Sequence, residues 1–345
     1  MEEEEEEGEE VEVLQGEQVY LLMKKEYRLS RNTRAHWYFS HLNTQLRVGN
    51  RQNLSEFTGD LEVVSVVPRD PVPADWDWDT GHLYSYHVSP ASMVTFLSQQ
   101  YKFVYILDYS PSAASTDIKK GTVLLDQMVR ALRRSLDGVS RPFYVPGSQL
   151  LFKPDIFVSV IAWTPFLCSG AQAVLHQGWL LTTDNMPDFL RAVVTGIARL
   201  EEHIARVAAI VIDELDTIKL QSERMMGDLF DESALPLPQV PSIPMAAPDT
   251  GFVNMIQTGQ LALQLLPQHS AGGLIVITDG VINVPDVNIL DPLLQQLRTK
   301  MTSLSFLQVS LSLLPTYPAQ MEEVRSEIPT KADQKPTKPL PLIIA

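Results

Sequence analysis

Cysteine is nearly absent: the 345 residues hold one, Cys168. A single thiol forms no intramolecular disulfide, which points to a reducing compartment and to a buried structural thiol. Positive charge is also scarce, with a net charge of −15, and a chain of that sign is a poor partner for a phosphate backbone, so no nucleic-acid binding is expected. No stretch reaches the roughly 18 uncharged apolar residues of a membrane span; the best run, 157–168, is too short and reads as a buried strand, and direct membrane insertion is not expected. The amino end has no basic segment followed by an apolar one, so no signal peptide is read there. Equally missing are a Walker phosphate loop, a glycine-rich dinucleotide fingerprint, a Gly-x-Ser-x-Gly elbow and a His-Glu-x-x-His zinc motif. The seven histidines show no ligand spacing; His176 reads as a satisfied strand residue and His203 as an exposed helix residue.

What is present is an apolar fraction of 45%, enough for a sizeable core. Glu2 to Glu7 form an unbroken acidic run that self-repels, so residues 1–16 are expected to be a disordered tail. Val19 to Met23 reads as a strand, Ser30 as the cap of a helix over 31–41, and Leu61 to Val67 as a strand closed by Pro68. Lys24, Lys25, Arg28, Arg31 and Arg34 surround that cap and read as a solvated face. Trp76 and Trp78 sit in an acidic loop, Leu83 to Val88 reads as a short strand, and Ser89 or Ser92 caps a predicted helix over 93–100.

Phe103 to Leu107 is a continuous apolar run, the pattern of a strand buried on both faces. A helix over 121–136 follows, with apolar residues at helical spacing, Arg130, Arg133 and Arg134 between them, and Gly138 as its stop. Segments 156–163 and 173–181 read as a strand pair. Asp184 or Asn185 caps a long helix from Pro187 that continues through Val207 and Ile210 toward Leu215, and the prolines of 230–250 mark a loop. A helix over 252–266, a buried strand over 274–278, a helix capped by Asp291 and started by Pro292, and a strand over 304–311 complete the pattern. Residues 318–345 are expected to be mostly disordered. Alternating buried strands and amphipathic helices argue for an α/β fold with a doubly wound, mostly parallel sheet. The organisation read from this is a tail (1–16), an α+β segment packed on the core (17–101), the α/β domain (102–314) and a second tail (315–345).

Two buried strands end in aspartate, giving Asp108-Tyr109-Ser110-Pro111-Ser112 and Thr278-Asp279-Gly280. Ligands of open parallel sheets bind beyond the carboxyl ends of the strands. Two carboxylates brought together there repel unless a cation lies between them, and Mg²⁺ takes about six oxygen ligands, water included.

The pattern Asp108-x-Ser110-x-Ser112 with a distant Ile277-Thr278-Asp279-Gly280 resembles the metal-ion-dependent adhesion site of von Willebrand A domains. That resemblance implies an Mg²⁺ site in which Ser110 and Ser112 ligate directly while Asp108 and Asp279 act through water. A third loop of the family supplies a threonine shortly before a helix; Asn254 stands in that place here, with Thr250 as the alternative. A second resemblance spans most of residues 17–310. The segments VYLLMKKEYRLSRN, YKFVYILDYSPS, RPFYVPGS, LALQLLP and IVITDGVINVPD are similar to the N-terminal region of the seizure-threshold scaffold family, the large subunits of the KICSTOR complex. It implies a non-catalytic adaptor that, with the other KICSTOR subunits, recruits the GATOR complex to lysosomes and restrains TOR signalling when amino acids are scarce. A cytoplasmic location peripheral to the lysosomal membrane, with a link to peroxisomes, comes with it. Family members are far longer, so the chain reads as a fragment or short isoform whose final A-domain elements are missing. The competing class is a Mg²⁺-dependent phosphohydrolase with Asp108 as nucleophile; it usually needs a second carboxylate two residues on, where this chain has Ser110.

Overall fold

The computed structural model describes residues 13–24, 30–49, 51–71, 84–117, 121–165, 172–228, 251–281 and 287–309. The glutamate run, Lys25, Arg28, Trp76, Trp78, Cys168, Thr250 and the segments 230–250 and 318–345 lie outside them.

Apolar alternation in the first hundred residues builds a four-stranded sheet from β1 (Val13–Met23), β2 (Gln45–Val48), β3 (Leu61–Pro68) and β4 (Tyr84–Ser98), with α1 (Arg31–His41) between the first two. The order is β2-β4-β1-β3, with β1 parallel to β4 and antiparallel to β3. The Ser30 hydroxyl accepts from the Thr33 amide at 3.1 Å and caps α1 as expected, and Trp37 of that helix packs with Val19, Leu21, Val66 and Tyr86. Two expectations fail. Val13 to Gly16 belong to β1, not to a tail. The helix expected over 93–100 is the second half of β4: Met93 to Ser98 pair in parallel register with Gln18 to Met23. The Ser92 hydroxyl caps no helix; it donates to the Gly16 carbonyl at 2.6 Å and accepts from the Ser89 amide at 3.0 Å. Val94, Thr95 and Phe96 suit a pleated strand, and pairing with β1 overrides the weak local helix signal.

β4 passes directly into the second sheet, whose elements are β5 (Gln100–Asp108), the ribbon β6 (Thr116–Asp117) and β7 (Thr122–Val123), α2 (Leu124–Val139), the ribbon β8 (Phe143–Tyr144) and β9 (Leu151–Phe152), β10 (Asp155–Trp163), β11 (Gln172–Leu181), α3 (Met186–Asp228), α4 (Gly251–Gln264), β12 (Ala271–Thr278), α5 (Val287–Thr299) and β13 (Ser303–Gln308). The order is β11-β10-β5-β12-β13, parallel throughout except for β11, which pairs antiparallel with β10. Val104 to Leu107 are all fully buried because helices cover both faces. Leu124, Met128, Leu132 and Leu136 of α2 share one core with Phe189, Val193, Ile197 and Leu200 of α3. On the other face, Phe252, Met255 and Ile256 of α4 pack with Leu293 and Leu297 of α5. The protein is therefore α/β, with a mostly parallel sheet wound in both directions from β5.

Boundaries shift in three places. α2 begins at Leu124 and runs through Gly138 to Val139, so that glycine is not its stop. α5 begins at Val287 and carries Pro292 inside; Leu293 and Leu297, 5% and 3% exposed, anchor the segment on the sheet despite one forgone backbone donor. α3 extends to Asp228, well past the Leu215 expected. Among the described residues, no helix is long and apolar enough to cross a membrane.

Candidate functional site

The strand order reverses at β5, so the crevice between β5 and β12 at their carboxyl ends is the topological switch point, where open α/β sheets hold ligands. Leu107 pairs with Ile277 and Asp108 with Trp163, which sets Asp108 and Thr278 at the same level of that rim. Asp108 is 1% exposed. Both its oxygens are engaged: Oδ2 accepts from the Thr278 hydroxyl at 2.7 Å, and Oδ1 from the Ser110 amide at 3.2 Å. Burial raises the Asp108 carboxyl above the ordinary carboxylate range. The bonds from Thr278 and Ser110 oppose that shift, and the neighbouring Asp279 charge adds to it.

After Asp108 the chain makes a single 3₁₀ turn, Pro111–Ala114, because Pro111 presets the first turn position. The turn brings the Ser110 and Ser112 hydroxyls within 2.9 Å of each other. On β12 the Thr278 hydroxyl accepts from the Gly280 amide at 3.1 Å, and Asp279 Oδ1 accepts from the Val281 amide at 2.9 Å. Gly280 has φ +88°, a left-handed backbone conformation that residues with a side chain rarely adopt, so glycine is strongly favoured there. Asp108, Ser110, Ser112 and Asp279 thus gather at one rim. Asn254 sits half-buried on the first turn of α4, whose Gly251 lies against the ring of Trp163, the register partner of Asp108.

Thr278 has a role that its place in the Thr278-Asp279-Gly280 motif does not announce. It is 2% exposed and joins the two loops by accepting from one and donating to the other. Its signal was a hydroxyl closing an otherwise apolar buried strand. Tyr109 is a second such residue. Its backbone amide donates to the Trp163 carbonyl at 2.7 Å, its hydroxyl is buried without a hydrogen-bond partner, and burial followed by the Glu201 and Asp126 charges pushes its phenol up.

The donor set fits a hard cation. It is all oxygen, it places the Asp279 charge beside the Asp108 carboxyl, and its two hydroxyls converge. Among the described residues, no trio of histidine, cysteine, aspartate or glutamate gathers, so a cation here would depend on the serine hydroxyls and water. Chemically, the rim can present a cation to a carboxylate from outside. The fold and site define an α/β protein with an oxygen-lined rim at its switch point. No protein-family model matches the chain.

Proposed function

We propose that the chain is a non-catalytic adaptor module on a von Willebrand A-like fold, and that its switch-point rim binds Mg²⁺ through Ser110, Ser112, Asp108 and Asp279, with Asn254 from α4 as the third-loop donor. The observation that carries this reading is the convergence of the Asp108-Ser110-Ser112 turn with Thr278-Asp279 through the 2.7 Å bond between β5 and β12. When bound, the cation would supply a positive centre for a partner's carboxylate. Asp108 and Thr278 hold the rim in shape, and the exposed side of Asp279 faces the partner. The sheet order, with β5 central and an antiparallel edge, supports the A-like assignment.

By its sequence resemblance the module belongs in a nutrient-sensing scaffold. Its partners would be KICSTOR subunits and the GATOR complex, at the cytoplasmic side of the lysosomal membrane, with restraint of TOR signalling in amino-acid starvation as the output. A phosphohydrolase role is disfavoured by Ser110, which stands two residues after Asp108 where such enzymes usually carry a second carboxylate. A generic phosphate ester incubated with the chain and Mg²⁺ should show no turnover. Hydrolysis that disappears in Asp108→Ala would overturn the adaptor reading.

A further inference from the structure

The outer face of α2 is basic on a strongly acidic protein. Arg130 and Arg134 lie one turn apart on it, Arg133 is beside them, and Arg141 follows the helix end; all four are exposed. Among the described residues, none of the four is in an ion pair. The helix carries two acids of its own, Asp126 in the first turn and the half-buried Asp137. A helix dipole favours cations at its carboxyl end, which accounts for one or two of these charges. It does not account for Gly138, which continues the Arg130–Arg134 stripe inside the helix. A Cβ there would meet nothing within 4 Å, and its φ is not positive, so neither packing nor backbone conformation requires glycine. A helical glycine costs about 1 kcal/mol against alanine; what it offers is bare backbone for close approach.

Two residues past Arg141 the chain enters the β8–β9 ribbon. Tyr144 and Leu151 are cross-strand partners there, 66% and 48% exposed, and Phe143 beside them is 45% exposed. The ribbon is held from below by Phe152, whose ring meets that of Phe143 at 5.5 Å, and by Val145 and Leu150 in the core shared with the first sheet. The exposed Tyr144 and Leu151 thus stand on a fixed ribbon that begins two residues after Arg141.

We propose that the α2 face and the β8–β9 ribbon together form a docking surface for an acidic polypeptide segment of a partner. Its carboxylates would run along Arg130, Arg134 and Arg141, past Gly138, and its apolar side chains would rest on Tyr144 and Leu151. Arginine pairs carboxylates through two parallel N–H donors, and aromatic neighbours supply the water-excluded anchor that such contacts need. The surface deepens the adaptor reading but uses none of the switch-point residues.

The test is fluorescence anisotropy of the intact chain with a labelled peptide, Glu-Glu-Glu-Glu-Glu-Glu-Val-Leu-Tyr-Leu. Saturable binding is expected, weakening as salt rises from about 50 to about 300 mM. The double variant Arg130→Glu, Arg134→Glu should lose roughly tenfold or more in affinity. Its melting curve should match that of the unaltered chain, since both side chains are exposed. Gly138→Ala should melt higher yet bind the peptide less well. Absent binding, or equal binding by the double variant, overturns the proposal. So does binding to phosphatidylserine vesicles with none to the peptide, which would make the face a membrane surface. Either failure leaves the Mg²⁺ reading of the rim standing, because that is scored by metal binding at other residues.

Discussion

At the scale of single residues, the account turns on a buried carboxyl group. Burial holds the Asp108 pKa above its ordinary value. Between that value and the raised one, the folded protein keeps the proton more tightly than the unfolded chain. The contribution of Asp108 is therefore complete below about pH 4 and is lost as pH rises through the folded pKa. Asp108→Asn keeps the shape and cannot ionise, so in metal-free buffer its thermal midpoint should gain on that of the unaltered chain as pH goes from about 4 to about 8. A variant midpoint that falls further relative to that of the unaltered chain over this range would show that burial does not raise the Asp108 pKa. Thr278→Val removes the hydroxyl bridging Asp108 and Gly280 and strands a buried acceptor, which should lower stability by about 1–3 kcal/mol in urea titrations. Both aspartates were legible in the sequence because each stands at the carboxyl end of a buried strand pattern. Thr278 was not singled out, because nothing in the sequence alone says that its hydroxyl points at a carboxylate 170 positions earlier.

Among the elements, those whose character is set locally were the readable ones. The Phe103–Leu107 and Leu274–Thr278 strands, the helix at 31–41 with its serine cap and the antiparallel β10–β11 pair all form where their patterns place them. The errors fall where a distant partner decides. The 93–98 segment has no strong periodicity of its own and becomes a strand because β1 offers it a parallel ladder. Gly138 looks like a stop but stays helical, since the buried Leu132 and Leu136 hold α2 on the sheet through its last turns. Leu132 is 1% exposed between α2 and the sheet, so Leu132→Ala should cost about 2–5 kcal/mol in a denaturant titration. Ser30→Ala, at an exposed cap, should cost only about 1 kcal/mol by the same measurement. A loss at Ser30 as large as that at Leu132 would mean that the first sheet depends on the α1 cap far more than its exposure implies.

Across the whole molecule, the two sheets share a core at the β8–β9 ribbon, where Val145, Leu150 and Phe152 pack with Leu22, Val64 and Leu97. The Ser65 hydroxyl donates to the Pro146 carbonyl at 2.7 Å across the same junction. The strand patterns of the first hundred residues mark a segment packed on the α/β core, but the short 143–152 stretch carries no sequence signal for the ribbon that makes part of that contact. The winding of the second sheet follows from its connections: helical crossovers lead from β5 to β10 and from β12 to β13, and reversing direction at β5 puts α2 and α3 on one face and α4 and α5 on the other. That same reversal opens the rim where Asp108, Ser110, Ser112 and Asp279 meet. The measurement that bears most directly on the central claim is calorimetric titration of Mg²⁺, and separately Mn²⁺, into the purified chain beside its Asp108→Ala variant. The adaptor account predicts saturable binding to the unaltered chain that is lost in the variant. No binding by either protein would contradict it, and would mean that the Asp108 turn serves only to hold the rim together.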